Sequence, residues 1–353
     1  LPESGIYSTD DEYDGCPAVS ISDNGIFTSY TSAYGQTRLN INSAEKTGTD
    51  QSLDTSSVCF TRISANGKRV VTVSRVASSC GMVPDGDKSS IVRSYSERNN
   101  VWQLDMSYTI DGFVRDISLS ADGKYAVVGT SWGTSGLLLF DLDSTENHLI
   151  WTYGKDASSN LVSISKNGNY IVASLLVNES YITTLFYQQT VLWSLNEADS
   201  SNKVQISDDG NYILIGTNLF SKDSPIPIRS FDDEVSLGSL LLSDNGENIL
   251  ARGSEGNLYF FDRDSSSPLW IIKLDSINRY AISSDGKHVV VVTQLGDDYY
   301  VYYYEEGFDF TYLLCGSLFF IVAGFVIYWK TKKPTGRVFT QYPFPPKGDN
   351  NEK

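Results

Sequence analysis

The sequence predicts an all-β protein built from seven similar units, each about 43 residues long. A pattern of Ser, any residue, Asn or Asp, and then Gly occurs seven times, each time between apolar runs rich in β-branched residues. Glycine adopts the left-handed conformation without a Cβ penalty, so Asn-Gly and Asp-Gly in this context predict β-hairpins. The seven copies begin at Ser22, Ser64, Ser120, Ser165, Ser207, Ser243 and Ser283.

Each unit is long enough for four short strands, and the third unit shows them most clearly. We predict strands over residues 115–120, 124–129, 137–141 and 148–153. The position four residues before each turn glycine is always Ile or Leu, which indicates a buried face with a period of two. A repeat of roughly 40–45 residues with four strands is typical of a propeller blade. We therefore expect a seven-bladed β-propeller.

The seventh unit lacks a fourth strand before the chain becomes continuously apolar. Tyr7 lies 18 residues before Gly25, close to the spacing of Trp151 and Trp193 from the next turn glycine in their units. Residues 4–9 are thus predicted to pair with residues 299–304 and to close the ring, which removes exposed sheet edges.

Residues 256–262, Gly-Asn-Leu-Tyr-Phe-Phe-Asp, are followed by Pro268, Leu269 and Trp270, and this stretch resembles the repeat of quinoprotein-like (PQQ-like) and WD40-like β-propellers. The resemblance covers roughly residues 4–304 and implies the fold. The Gly-His and Trp-Asp signature of WD40 repeats is absent from the sequence, as is the vicinal cysteine pair of PQQ dehydrogenases. No cofactor is therefore expected.

Residues 310–329 carry no charged side chain, and twenty residues of helix span about 30 Å, the thickness of a bilayer core. Lys330, Lys332 and Lys333 follow, whereas acidic residues precede, so the tail is predicted to be cytoplasmic. The expected domains are an extracytoplasmic propeller (1–306), a transmembrane helix (307–330) and a short basic, Pro-containing cytoplasmic tail (331–353). The protein is thus predicted to cross the cell membrane once, in a type I orientation.

Small residues in the predicted helix suggest where other membrane subunits pack. Gly316, Ala323 and Gly324 permit close helix approach, although an ordinary lipid-facing helix is the alternative. Residues 330–353 carry a net charge of +4, so the rest of the chain carries −20 within the total of −16. Such an acidic domain repels phosphate backbones, so nucleic acid is not expected as a partner.

An extracytoplasmic domain permits disulfides and glycans. Cys59 lies between Val58 and Phe60 in a predicted strand and is interpreted as a small core residue. We favour a Cys16–Cys80 disulfide, with Cys59–Cys80 as the alternative. Asn178 begins the sequon Asn-Glu-Ser and is a glycosylation candidate. The longest insertions, residues 76–90 and 218–228, are both interpreted as loops between the second and third strands of their units.

The sequence contains no motif for a catalytic, metal or cofactor site. His148 and His288 lack zinc-ligand spacing, and the Asp-x-Asp stretches at residues 141–143 and 262–264 fall where turns are expected. The leading hypothesis is a non-enzymatic, membrane-anchored scaffold that binds other membrane protein subunits. The alternatives are a surface redox or hydrolytic enzyme with a site at the ring centre, and a cell-envelope structural or adhesion protein.

Overall fold

The structure is a computed structural model, and the part of the chain that it describes is all-β. It contains 28 strands and no helix within that part, which confirms the predicted fold class. The described residues are 19–23, 27–31, 37–41, 51–54, 58–75, 89–99, 101–131, 135–197, 203–231, 240–253, 256–265, 267–274, 276–295, 298–305 and 337–339.

The strands form seven four-stranded antiparallel sheets, numbered here in chain order. Sheet 1 contains β1 (Val19–Ile21), β2 (Phe27–Thr31), β3 (Thr37–Ile41) and β4 (Gln51–Asp54). Sheet 2 contains β5 (Val58–Ile63), β6 (Arg69–Arg75), β7 (Ser90–Arg98) and β8 (Val101–Ile110). Sheet 3 contains β9 (Phe113–Leu119), β10 (Tyr125–Ser131), β11 (Ser135–Asp141) and β12 (Leu149–Lys155).

Sheet 4 contains β13 (Ser158–Ile164), β14 (Tyr170–Val177), β15 (Ser180–Tyr187) and β16 (Thr190–Glu197). Sheet 5 contains β17 (Val204–Ile206), β18 (Tyr212–Ile215), β19 (Asn218–Ser221) and β20 (Pro227–Ser230). Sheet 6 contains β21 (Leu240–Leu242), β22 (Asn248–Arg252), β23 (Asn257–Asp262) and β24 (Trp270–Lys273). Sheet 7 contains β25 (Ile277–Ile282), β26 (His288–Leu295), β27 (Asp298–Glu305) and β28 (Arg337–Phe339).

Within every sheet the strands pair in sequence order, and the hairpin between the first two strands holds the repeated turn. In sheet 3 the four strands agree with the predicted ones to within two residues at each end. The prediction succeeds there because alternation of apolar residues and Asp-Gly turn chemistry are both local signals.

The repeated turn is held by one hydrogen-bond network, which is present in all six copies that the structure describes in full. In the copy at Ser207, the Gly210 N–H donates to the Ser207 carbonyl at 2.9 Å. The Ser207 hydroxyl donates to Asp209 Oδ1 at 2.6 Å and accepts from the Tyr212 N–H at 3.0 Å. The serine is fully buried, so its side chain replaces the water that would otherwise satisfy these groups.

Five of the described turn glycines, from Gly123 to Gly286, pack against the sheet that precedes them. The six described turn glycines have φ between +70° and +76°, and a Cβ at Gly168 or Gly210 would overlap the ring of Tyr125 or Tyr170 in the preceding sheet. In these five contacts the preceding sheet contributes the side chain that lies two residues after its own turn glycine, joined at Gly246 by Ser207. Glycine at the fourth turn position therefore sets both the hairpin and the contact between neighbouring sheets.

Apolar side chains form the layers between neighbouring sheets. One core cluster joins Val71 of sheet 2 to Phe140 of sheet 3, and others join each later pair up to sheets 6 and 7. Tryptophans of the fourth strands contribute to these layers: the ring centroid of Trp151 lies 5.1 Å from that of Phe186 in sheet 4. Trp193 likewise meets Phe220 of sheet 5 at 5.9 Å.

Two predicted elements are wrong in this structure. The fourth strand of sheet 7 is β28, paired through Tyr302 and Val338, and not residues 4–9, which lie outside the described residues. The stretch 218–228 is not a loop between second and third strands. It supplies β19, a short connection, and the start of β20, because Gly216 and Thr217 already form a tight turn after β18.

Replacement of Gly210 by Ala should destabilise the protein more than replacement of Gly216. Both glycines have positive φ, but a Cβ at Gly210 overlaps Tyr170, whereas nothing lies within 4 Å of one at Gly216. We expect a loss of about 1 kcal/mol for Gly216→Ala and about 2–4 kcal/mol for Gly210→Ala, measured by urea unfolding. Equal losses would show that the packing of the turn on the preceding sheet contributes nothing.

Candidate functional site

The second residues of the seven turns form a continuous row, which we call the turn row. Its members are Asp23, Ala65, Ala121, Lys166, Asp208, Asp244 and Ser284. Backbone hydrogen bonds connect each turn to the next, for example from the Lys166 N–H to the Asp208 carbonyl at 3.1 Å. From sheet 1 to sheet 6 each turn donates a backbone N–H to the carbonyl of the second residue of the next turn, and the donors from sheets 2 and 6 are the third turn residues Asn66 and Asn245. The row therefore gathers side chains from all seven units.

The charged members of the turn row interact across several sheets. Lys166 Nζ lies 3.0 Å from Asp208 Oδ2, and the Ser284 hydroxyl donates to Asp244 Oδ2 at 2.5 Å. Asp23 of sheet 1 is close enough to Lys166 and Asp208 to alter its pKa. Three carboxylates, one ammonium and one hydroxyl thus form a polar cluster at one end of the sheets.

Burial and like charge raise the pKa of two carboxyls in this cluster. The pKa of Asp244 is raised to about 6, chiefly by burial and also by Asp208 and Asp23, while the Ser284 hydrogen bond and Lys166 act in the opposite direction. Burial is also the largest cause of the raised pKa of Asp23. The hydrogen bond to Asp208 raises the pKa of Lys166. Chemically, the cluster can hold a proton near pH 6 that an exposed carboxyl would have lost.

The Asp-x-Asp stretches at 141–143 and 262–264 lie in connections between third and fourth strands, as predicted. The first Asp of each accepts a hydrogen bond from the N–H of the second, and the second contacts arginine: Asp143 with Arg69 and Asp264 with Arg263. Their oxygens thus stabilise turns and ion pairs. Among the described residues no group of three or more His, Cys, Asp or Glu has metal-binding geometry.

The two histidines lie where the sequence places them, at the ends of strands. His148 Nδ1 is 3.1 Å from the Asp141 carbonyl, within the connection of sheet 3. His288 begins β26, and its Nδ1 lies 2.6 Å from the Tyr303 hydroxyl. Both make local structural contacts.

The structure describes two of the predicted modification sites. Asn178 is exposed at the two-residue turn between β14 and β15, where its φ is 49°. Cys59 is buried and disulfide-bonded, so it is more than the small core residue of our first interpretation. Its partner lies outside the described residues, as do the favoured pair Cys16 and Cys80. Gly316, Ala323 and Gly324 also lie outside them.

A buried ion pair was missed by the sequence interpretation. Asp116 in β9 is 4% exposed, lies 3.6 Å from Arg62 of sheet 2, and accepts a hydrogen bond from the Val162 N–H of sheet 4 at 3.0 Å. Burial raises its pKa to about 6, although Arg62 lowers it. The signal in the sequence was an acidic residue inside an apolar strand. The contact joins three sheets and is not near the turn row.

Comparison with known proteins does not assign a family. No family model matches this chain, and no curated protein matches it. Within the described part of the chain no helix is long and apolar enough to cross a bilayer, and residues 310–329 fall outside that part. Function is therefore inferred from the residues of this chain alone.

Replacement of Asp244 by Asn should change how stability depends on pH. Because the pKa of Asp244 is raised on folding from 3.8 to about 6, folded protein retains a proton that the unfolded chain loses between these pH values. The stabilising contribution of Asp244 is thus complete below about pH 4 and lost above about pH 6. The quantity to compare is the free energy of unfolding of the native protein minus that of Asp244→Asn. With solvent screening taken into account, this difference should fall by about 1–2 kcal/mol as the pH rises from about 4 to about 6.

The matched control is Asp285→Asn, measured by the same urea titrations. Burial raises the pKa of Asp285, but hydrogen bonds from Ser283 and the Lys287 N–H outweigh it and lower the pKa overall. The corresponding difference should therefore rise with pH. A difference for Asp244→Asn that does not vary with pH would contradict the raised pKa.

Proposed function

We propose that the seven sheets surround one axis as a closed β-propeller. The support comes from the turn row, in which each turn from sheet 1 to sheet 6 donates a backbone hydrogen bond to the second residue of the next turn. Asp23 of sheet 1 also interacts with Lys166 and Asp208 of sheets 4 and 5, and it influences Asp244 of sheet 6. Interactions between sheet 1 and sheets 4 to 6 require the turn row to curve back towards its first member, as it does in a ring. In a straight stack sheet 1 would lie far from sheets 4 to 6.

We further propose that residues 310–329 anchor this propeller in a cell membrane as a single-pass segment. Support comes from the sequence, which combines twenty uncharged residues with basic residues on one side. In an anchored molecule, residues 330–353 lie across the bilayer from β27. Anchoring and the pairing of β28 with β27 therefore exclude each other. If residues 310–329 span the membrane, β28 does not pair with the outer edge of β27.

The double variant Tyr302→Cys/Val338→Cys tests which alternative holds in the full chain. These residues are paired neighbours in the register of β27 and β28. For chains in vesicles the anchor predicts no disulfide between them after mild oxidation, as read by mass spectrometry of peptides. Tyr259→Cys/Ile271→Cys, a pair across β23 and β24, should form its disulfide and serves as the positive control. A 302–338 disulfide in membrane-bound chains would contradict the anchor.

The function that the geometry supports best is a non-enzymatic scaffold that binds other membrane protein subunits. One observation carries this proposal: seven of the ten exposed large hydrophobic residues among the described ones lie on fourth strands, at the outer ends of their sheets. They are Val101, Leu104, Ile150, Val191, Leu192, Ile228 and Ile271. Exposed apolar groups on sheet-edge strands are suited to protein contacts.

Charge placed on an outer strand should weaken partner binding and leave the fold intact. Leu192 on β16 is 46% exposed, so Leu192→Glu should not disturb the core. We expect at least a several-fold loss of one or more proteins that co-purify with the full chain in mild detergent. Thr190→Glu, at an exposed position of the same strand, is the matched control and should retain them. Unchanged co-purification for substitutions on every outer strand would contradict the scaffold function.

A further inference from the structure

The connection between β19 and β20 in sheet 5 lies at the same end of the sheets as the turn row. The Lys222 N–H donates to the Asn211 carbonyl at 2.9 Å, directly after the turn at Gly210. The Trp193 indole N–H of sheet 4 donates to the Lys222 carbonyl at 2.9 Å and fixes this connection against its neighbour. A loop between the second and third strands, as predicted for residues 218–228, would lie at the opposite end of the sheets. Because the segment instead connects the third and fourth strands, it lies at the end that carries the turn row.

The chain also leaves sheet 7 on this face. Glu305 is paired with His288, and the His288 carbonyl accepts from Ser283 at the start of the turn. Only four residues separate Glu305 from Phe310, where the predicted membrane segment begins. Extended chain advances at most about 3.6 Å per residue, so this end of the sheets remains within about 20 Å of the segment.

The connection in sheet 5 differs in chemistry from the described connections beside it. In the connections of sheets 3, 4 and 6 the exposed side chains of the described residues are polar or charged, because Leu142 is buried and Pro268 and Leu269 are half-buried. Sheet 5 instead presents Pro225-Ile226-Pro227-Ile228, with Ile226 72% and Ile228 54% exposed. Proline fixes φ on either side of Ile226, so little backbone entropy remains to be lost when this apolar tip is buried.

We propose that Ile226, at the tip of this connection, inserts into the interfacial layer of a phospholipid bilayer. The proposal rests on the proposed membrane anchor, which brings this face to the lipid. Asp223 is next to the tip, and Asp208 and Asp209 lie in the adjoining turn, so a zwitterionic surface suits the site better than an anionic one. Insertion of this tip then determines the tilt of the propeller relative to the membrane plane.

The test uses the full chain in phosphatidylcholine vesicles, with an environment-sensitive fluorescent amino acid introduced by amber suppression in place of Ile226. Lipid contact predicts a blue-shifted emission and quenching by nitroxide-labelled phosphatidylcholine. The control carries the same fluorophore in place of Glu179, which is exposed in the β14–β15 turn at the opposite end of the sheets. Quenching should be at least several-fold stronger at position 226 than at position 179.

Flotation of the same vesicles separates failure of this inference from failure of the anchor. Chains that float but are not quenched at position 226 overturn the inference and leave the anchor intact. A blue shift without nitroxide quenching means that a protein surface, such as a second copy, covers the tip, and it also overturns the inference. Chains that do not float overturn both proposals.

Discussion

The packing of each turn glycine on the preceding sheet determines much of this structure. Gly168 lies on the ring of Tyr125, and Gly210 lies on the ring of Tyr170, each closer than any residue with a Cβ could lie. Because the packing residue comes two positions after its own turn glycine, sheets 3 to 6 each provide this glycine to the preceding sheet and receive the next one. The spacing between sheets is therefore set by a residue with no side chain, and the apolar layers fill that spacing.

This arrangement explains why the first half of each unit was predictable. The turn at Ser207 combines an Asx-type side-chain bond with a glycine at φ +75°, and both are local requirements that the sequence displays directly. The strands beside it carry the expected alternation. Elements whose partners are distant in sequence were not predictable in this way, and β28 is the clearest example, since nothing local to residues 337–339 points to β27.

The prediction that residues 218–228 form a loop was wrong for a different reason, which concerns the two prolines of sheet 5. Pro225 and Pro227 resemble loop residues, but β20 is the last strand of its sheet, and an edge strand tolerates a proline at its first position. Cys59 was similarly ambiguous, because a buried strand position suits both a small core residue and a half-cystine.

The turn row was invisible in the sequence because its members share no chemistry. Position two of the turn is Ala in two copies, Asp in three, and Lys and Ser in the others. Only the bonds between successive turns bring Asp23, Asp208 and Asp244 near Lys166. Asp244 is half-buried in its turn, and burial beside Asp208 and Asp23 raises its pKa above that of a solvated carboxyl.

Closure of the turn row into a ring is the central claim, and cross-linking measures it most directly. Cysteines at positions 23 and 284 are neighbours only if sheet 7 returns to sheet 1, whereas positions 208 and 244 are neighbours in either case. A short bismaleimide followed by peptide mass spectrometry should link Asp23→Cys/Ser284→Cys about as efficiently as Asp208→Cys/Asp244→Cys. Efficient linking of 208 to 244 with none of 23 to 284 would mean that the seven sheets form an open row.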